Sequence, residues 1–134
     1  MEIEPIITNI GIISGRDAIF LDLVEHKNNV LTFHGEINSD LLNIKDIGND
    51  DFVKYTLNFY DVIFYQCYEL DLYNLNLLKS SFDSIKKSKL IEELNSRNTE
   101  KITNEHKHYR LATYDYIYEI ISSKYILKIN IDKK

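Results

Sequence analysis

Between Tyr60 and Leu72 the chain alternates with a period of two. The even positions carry Tyr60, Val62, Phe64, Gln66, Tyr68, Leu70 and Leu72, while the odd ones include Asp61, Cys67, Glu69 and Asp71. Successive side chains of a strand point to opposite faces, so this pattern describes a strand with an apolar face on a core and an acidic face in water. Phe52 to Phe59 precedes it as a second strand, with Val53, Tyr55, Leu57 and Phe59 sharing one face. The join from Asn58 to Asp61 lacks Gly and Pro, so a hairpin and a continuous bent strand are both open there.

The first 37 residues read as a three-stranded meander: Ile6 to Ile13, Ala18 to Glu25 and Val30 to Ile37. Ser14-Gly15-Arg16-Asp17 and Asn28-Asn29 supply the turns, since small and polar residues favour turns and Asn tolerates positive φ. In the second strand Ile19, Leu21 and Leu23 share one face and Phe20, Asp22 and Val24 the other. Residues 38–51 break the pattern with Asn, Asp and Gly and read as a loop with one helical turn. Ser88 to Arg97 reads as a helix, with Ser88 as its cap and Leu90, Ile91 and Leu94 as its apolar stripe. Residues 75–87 read as irregular or as a separate short helix. After a polar connection, His108 to Thr113, Tyr116 to Ile121 and Tyr125 to Ile131 read as three closing strands. The expected fold is α+β: a mainly antiparallel sheet of about seven to eight strands with one main helix in residues 75–97. Branched and aromatic residues dominate the apolar set, as a pleated surface favours.

At 134 residues and 15.8 kDa the whole chain, 1–134, is expected to be one domain around one core. A hydrophobic fraction of 44% beside 28% charged residues excludes collagenous, disordered and membrane-embedded classes. No run approaches the roughly 20 apolar residues that span a bilayer, and Met1 to Pro5 lacks the pattern of a secretory signal. The single Cys67 forms no internal disulfide, in keeping with a reducing compartment, so a cytoplasmic location is expected. Residues 1–74 hold four basic side chains against thirteen acidic ones, and residues 75–134 hold twelve against eight, giving −9 and +4. An acidic total argues against a nucleic-acid backbone and for a basic protein partner.

Chemistry has few footholds. His106 and His108 form an HxH pair that a strand would turn to one face, but a metal needs three or four ligands, so no metal site and no cofactor is expected. Cys67 has acidic neighbours, which disfavour the thiolate a nucleophile needs, so no catalytic residue is assigned. A Gly-rich phosphate loop, GxSxG, HExxH and CxxC are all missing from the sequence. The ten tyrosines cluster in the two strand-rich segments, and tyrosine is enriched where proteins bind one another. Asp61, Glu69 and Asp71 with Tyr65 and Tyr73 beside them are therefore the expected protein-binding residues.

The stretch His108-Tyr-Arg-Leu-Ala-Thr-Tyr-Asp-Tyr-Ile-Tyr-Glu-Ile-Ile121, with Ser88-Lys-Leu-Ile-Glu-Glu-Leu94 before it, resembles the closing segment of small bacterial single-domain proteins, some of the polymorphic-toxin immunity type. The resemblance covers about a quarter of the chain and implies a helix followed by strands that close a sheet, with no catalytic residues. It also implies a small, acidic, non-enzymatic protein that blocks a basic toxin domain by covering it. Two other readings stand beside it: a small metal-dependent enzyme or ligand-binding protein using His106 and His108, and a homo-oligomeric subunit, such as a homodimer joined through an edge strand.

Overall fold

A computed structural model describes residues 2–39, 52–97 and 100–130, which form nine strands and one α-helix. In chain order the strands are β1 (Glu2–Pro5), β2 (Ile19–Lys27), β3 (Val30–Asn38), β4 (Phe52–Tyr60), β5 (Phe64–Glu69), β6 (Phe82–Lys86), β7 (Lys107–Ala112), β8 (Tyr116–Ser122) and β9 (Lys124–Asn130). The helix, α1 (Lys89–Arg97), lies between β6 and β7. All pairings between strands are antiparallel, in a five-stranded sheet ordered β1-β6-β7-β8-β5 and a four-stranded sheet ordered β2-β3-β4-β9. The α+β assignment thus holds, with slightly more strands than the sequence pattern indicates.

The two sheets meet through aromatic rings. Phe33 and Phe59 of the four-stranded sheet pack edge-on against Tyr118 and Phe82 of the other, with centroids 4.9 and 5.9 Å apart. One core cluster takes Leu31, Ile37, Leu57 and Leu127 from one sheet and Leu111 and Ile120 from the other. Burying such side chains contributes roughly 1.5–3 kcal/mol each before the entropy of ordering them is counted. Asn28 and Asn29, at φ 53° and 63°, make the tight β2–β3 turn, a backbone that Asn tolerates. Gly35 is required by contact rather than by its own dihedrals. A Cβ there would lie 1.9 Å from the Phe20 carbonyl oxygen and 3.0 Å from the Tyr55 hydroxyl, which donates to that same oxygen.

Several expectations are corrected. Ile6 to Ile13 is not a strand: the chain turns tightly between Thr8 and Gly11, where Gly11 takes φ 90°, and it delivers Ile10 and Ile13 to the core from irregular backbone. The register of β2 slips between Leu21 and Leu23, a bulge that leaves Leu23 exposed and turns Val24 toward the core in its place. The join after β4 is neither a hairpin nor a bent strand. Asp61 at φ 54° carries the chain from one sheet to the other, so β4 and β5 never pair. Within 75–87, β6 appears as a strand covered on both sides, and its FDSIK sequence shows no simple alternation of apolar and polar residues. Most of the loop expected over 38–51, and the last residue of the closing strand, Ile131, lie outside the described residues. No helix among the described residues is long and apolar enough to cross a membrane.

Candidate protein-binding surface

Directly opposed residues in an antiparallel pair share a face, which sorts the five-stranded sheet. Tyr65, Cys67 and Glu69 of β5 stand opposite Ile120, Tyr118 and Tyr116 of β8, so they continue the face that packs on the other sheet. All three are nevertheless exposed, because β5 is the rim of its sheet. At this rim His26 of β2 meets the Tyr65 ring edge-on at 5.3 Å. Phe64, Gln66 and Tyr68 point the other way and are half-buried. Within β5 the alternation separates exposed from half-buried residues, with the covered side on the second face of the sheet. Beyond it the expected strand fails, because Leu70–Leu72 form a single 3-10 turn in which Leu70 is buried and Leu72, expected on the covered face, is exposed.

On that second face one register line crosses the sheet: Asp83, Arg110, Glu119 and Gln66. Glu119 Oε1 accepts from His108 Nε2 (3.2 Å), Arg110 Nε (3.3 Å) and the Tyr73 hydroxyl (3.2 Å), and its Oε2 accepts from Gln66 Nε2 (3.2 Å). Burial by itself pushes this carboxyl up. The hydrogen bond and charge of His108, the Arg110 guanidinium and Gln66 outweigh it and hold the group at about 2. Ser88 caps α1 by accepting from Ile91 N (3.1 Å), and its hydroxyl lies 2.7 Å from His108 Nδ1. These contacts run unbroken from the start of the helix through His108 to Glu119 on the sheet. Arg110 also donates to the Leu77 carbonyl (2.9 Å), and Asp83 accepts from Lys79 N and the Ser80 hydroxyl. The row thus fastens the irregular 70–81 segment across the sheet.

That fastening engages one member of the expected contact set, Tyr73, within the fold. Its ring stacks on Tyr68 at 5.4 Å, lies under the Arg110 guanidinium, and spends its hydroxyl on Glu119. Burial, then the charge of Glu119, pushes its hydroxyl well above the ordinary range. Asp61 sits in the turn at the far end of β5, where its Oδ2 accepts from His106 Nε2 (3.0 Å). Thr103 N donates to His106 Nδ1, which fixes that tautomer. His106 precedes β7 and His108 belongs to it, so the two imidazoles serve different partners. Among the described residues no three side chains of His, Cys, Asp and Glu are grouped as metal ligands.

Glu69 and Asp71 are brought together, and with residues the sequence pattern did not indicate. Leu70 N donates to the Asp115 carbonyl (2.9 Å), and Tyr114 N donates to the Ile19 carbonyl (2.9 Å), so the end of β5, the β7–β8 turn and the start of β2 meet at one end of the molecule. Thr113 closes the turn, with its hydroxyl exchanging hydrogen bonds with Tyr116. The result is a concave site of about 380 Å³ lined by Glu69, Asp71, Asp115, Arg16, Tyr114 and Tyr116. Arg16 lies over the Tyr114 ring at 5.5 Å, and that ring stacks on Phe20. Tyr116 is 44% exposed and the nearby Leu72 is 79% exposed. Asp115 and the two tyrosines escape a sequence reading because only the fold of β8 against β5 places them beside Glu69. No family model, curated protein or solved structure matches the chain.

Proposed function

We propose that this protein is a non-enzymatic binding module, most concretely an immunity-type inhibitor that blocks a basic toxin domain by covering it. The supporting observation is the meeting of Glu69, Asp71 and Asp115 with the exposed rings of Tyr114 and Tyr116 at one concave end. Three carboxylates against one guanidinium give that end a negative field, which steers a basic partner and suppresses acidic ones. Exposed leucines and tyrosines beside the charge supply the area that a field alone does not, and Tyr buries much surface at little rotamer cost. Tyr65 and Asp61 extend the surface along the β5 rim. Tyr73 acts from beneath, by holding the 70–81 segment in place.

The test is affinity capture from the cells that encode the protein, with the wild type and a Glu69→Gln/Asp71→Asn/Asp115→Asn variant side by side. A partner with a basic domain, held by the wild type and lost from the variant, supports the reading. A partner retained equally by both removes this surface from the interface. Co-expression then separates inhibition from mere binding: an immunity role requires that the wild type, and not the variant, relieves the growth defect the partner causes.

A further inference from the structure

We propose that this concave end reads two features of its partner at once: a lysine or arginine set against Glu69, Asp71 and Asp115, and a neighbouring aliphatic side chain set into an adjoining apolar cavity. The inference rests on the protein-binding reading above and specifies the partner's chemistry. The second cavity, of about 230 Å³, is walled by Leu75 and Leu78 of the 70–81 segment, by Leu70 and by Ala112 at the end of β7. Arg16 and Leu70 line both cavities, so the two open side by side. The floor of the apolar one is built before any partner arrives. Leu70, Ala112 and Ile117 form a small buried cluster with Leu78 and Tyr73 packed on it, and Tyr73 is tied to Glu119.

Charge complementarity commits the occupant. The acidic cavity offers carboxylates where a cation gains most, while Lys79, which lines the apolar cavity and not the acidic one, repels a cation from the apolar side and leaves it to the aliphatic group. A partner segment with the two side chains adjacent satisfies both cavities, whereas a purely basic segment leaves the apolar one filled with water. Burial of one aliphatic side chain makes the paired segment bind roughly tenfold or more tighter than the same segment with a serine in its place.

The experiment is an amide chemical-shift titration of the isotope-labelled full chain with blocked five-residue peptides carrying Lys and Leu at adjacent or alternate positions. Matched peptides carry norleucine for Lys or Ser for Leu. The expected result is shifts at Leu70, Leu78, Ala112, Thr113 and Tyr116, with affinity falling on either peptide replacement. In the Leu75→Ser protein, whose altered side chain is half exposed, the Leu and Ser peptides should bind nearly alike, while the Lys preference remains. The Glu69→Gln/Asp71→Asn/Asp115→Asn protein should show the reverse. Equal binding of the Leu and Ser peptides to the wild type, or no shifts at this end at the highest soluble peptide concentration, overturns the two-part reading. Shifts at the same amides on concentrating the protein alone also overturn it, by assigning the surface to a second copy. The protein-binding reading falls separately, if the captured natural partner ignores the loss of all three carboxylates.

Discussion

Glu119 gathers hydrogen bonds from His108, Arg110, Tyr73 and Gln66 in a site only 11% exposed, and removing its charge deprives the buried Arg110 of its ion pair. Replacing one member of a buried pair is costly, so Glu119→Gln should lower folding stability by on the order of 3 kcal/mol at neutral pH, measured by chemical denaturation. The carboxyl is held at about 2 in the folded chain against an ordinary 4.5, so the unfolded chain binds the proton first as pH falls. Its contribution is therefore complete above about pH 4.5 and drains away as pH drops toward 2, and this slope should be absent in Glu119→Gln. Tyr73→Phe keeps the stacked ring and deletes one hydrogen bond, an expected loss of about 1 kcal/mol. It should leave association with a partner nearly unchanged, which separates Tyr73 from Tyr65, whose Tyr65→Ala change should speed dissociation. None of this row was legible in the sequence. His108, Arg110 and Glu119 look like ordinary strand polar residues until the β7–β8 register sets them side by side.

Strands that cover a core on one side were legible, because burial on one face writes a period of two into β3 and β4. The same logic failed where an element is covered twice or where the backbone slips. β6 lies between two neighbours with both faces packed, so Asp83 and Ile85 face one side and Phe82 and Ser84 the other with no simple polar alternation. The bulge in β2 moved Leu23 outward, and no local residue announces it. Gly35 lies opposite Leu21, where that slip begins, and Gly35→Ala would drive a methyl group into the Phe20 carbonyl. Backbone cannot yield as a side chain tip can, so the expected cost is on the order of 3 kcal/mol or failure to fold, read from the melting temperature. Helix α1 was placed correctly because Ser88 signals its start. Ser88→Ala removes both the cap and the partner of His108, and should cost about 1–2 kcal/mol.

At the scale of the whole molecule, charge separated along the sequence is only partly separated in space. The acidic β1 is laced to basic β6, with Glu4 3.4 Å from Lys86 and Glu2 3.2 Å from Lys87. Glu69, Asp71 and Asp115 gather at one end with Arg16 alone as a cation in the same cavity, where three segments distant in sequence converge. Half of this was readable, since Glu69 and Asp71 mark themselves on an alternating strand and the turn beyond it. The rest depends on β8 pairing with β5 and on the Leu70–Asp115 backbone bond. The most direct measurement is the association rate of the captured partner at two salt concentrations, for the wild type, the Glu69→Gln/Asp71→Asn/Asp115→Asn variant and a Glu4→Gln control on β1, the edge of the sheet opposite β5. A field that steers a basic partner predicts fast association that slows with salt in the wild type and the control, and a slower, salt-insensitive rate in the triple variant. Identical rates and identical salt dependence in all three proteins would contradict the assignment of this end as the binding surface.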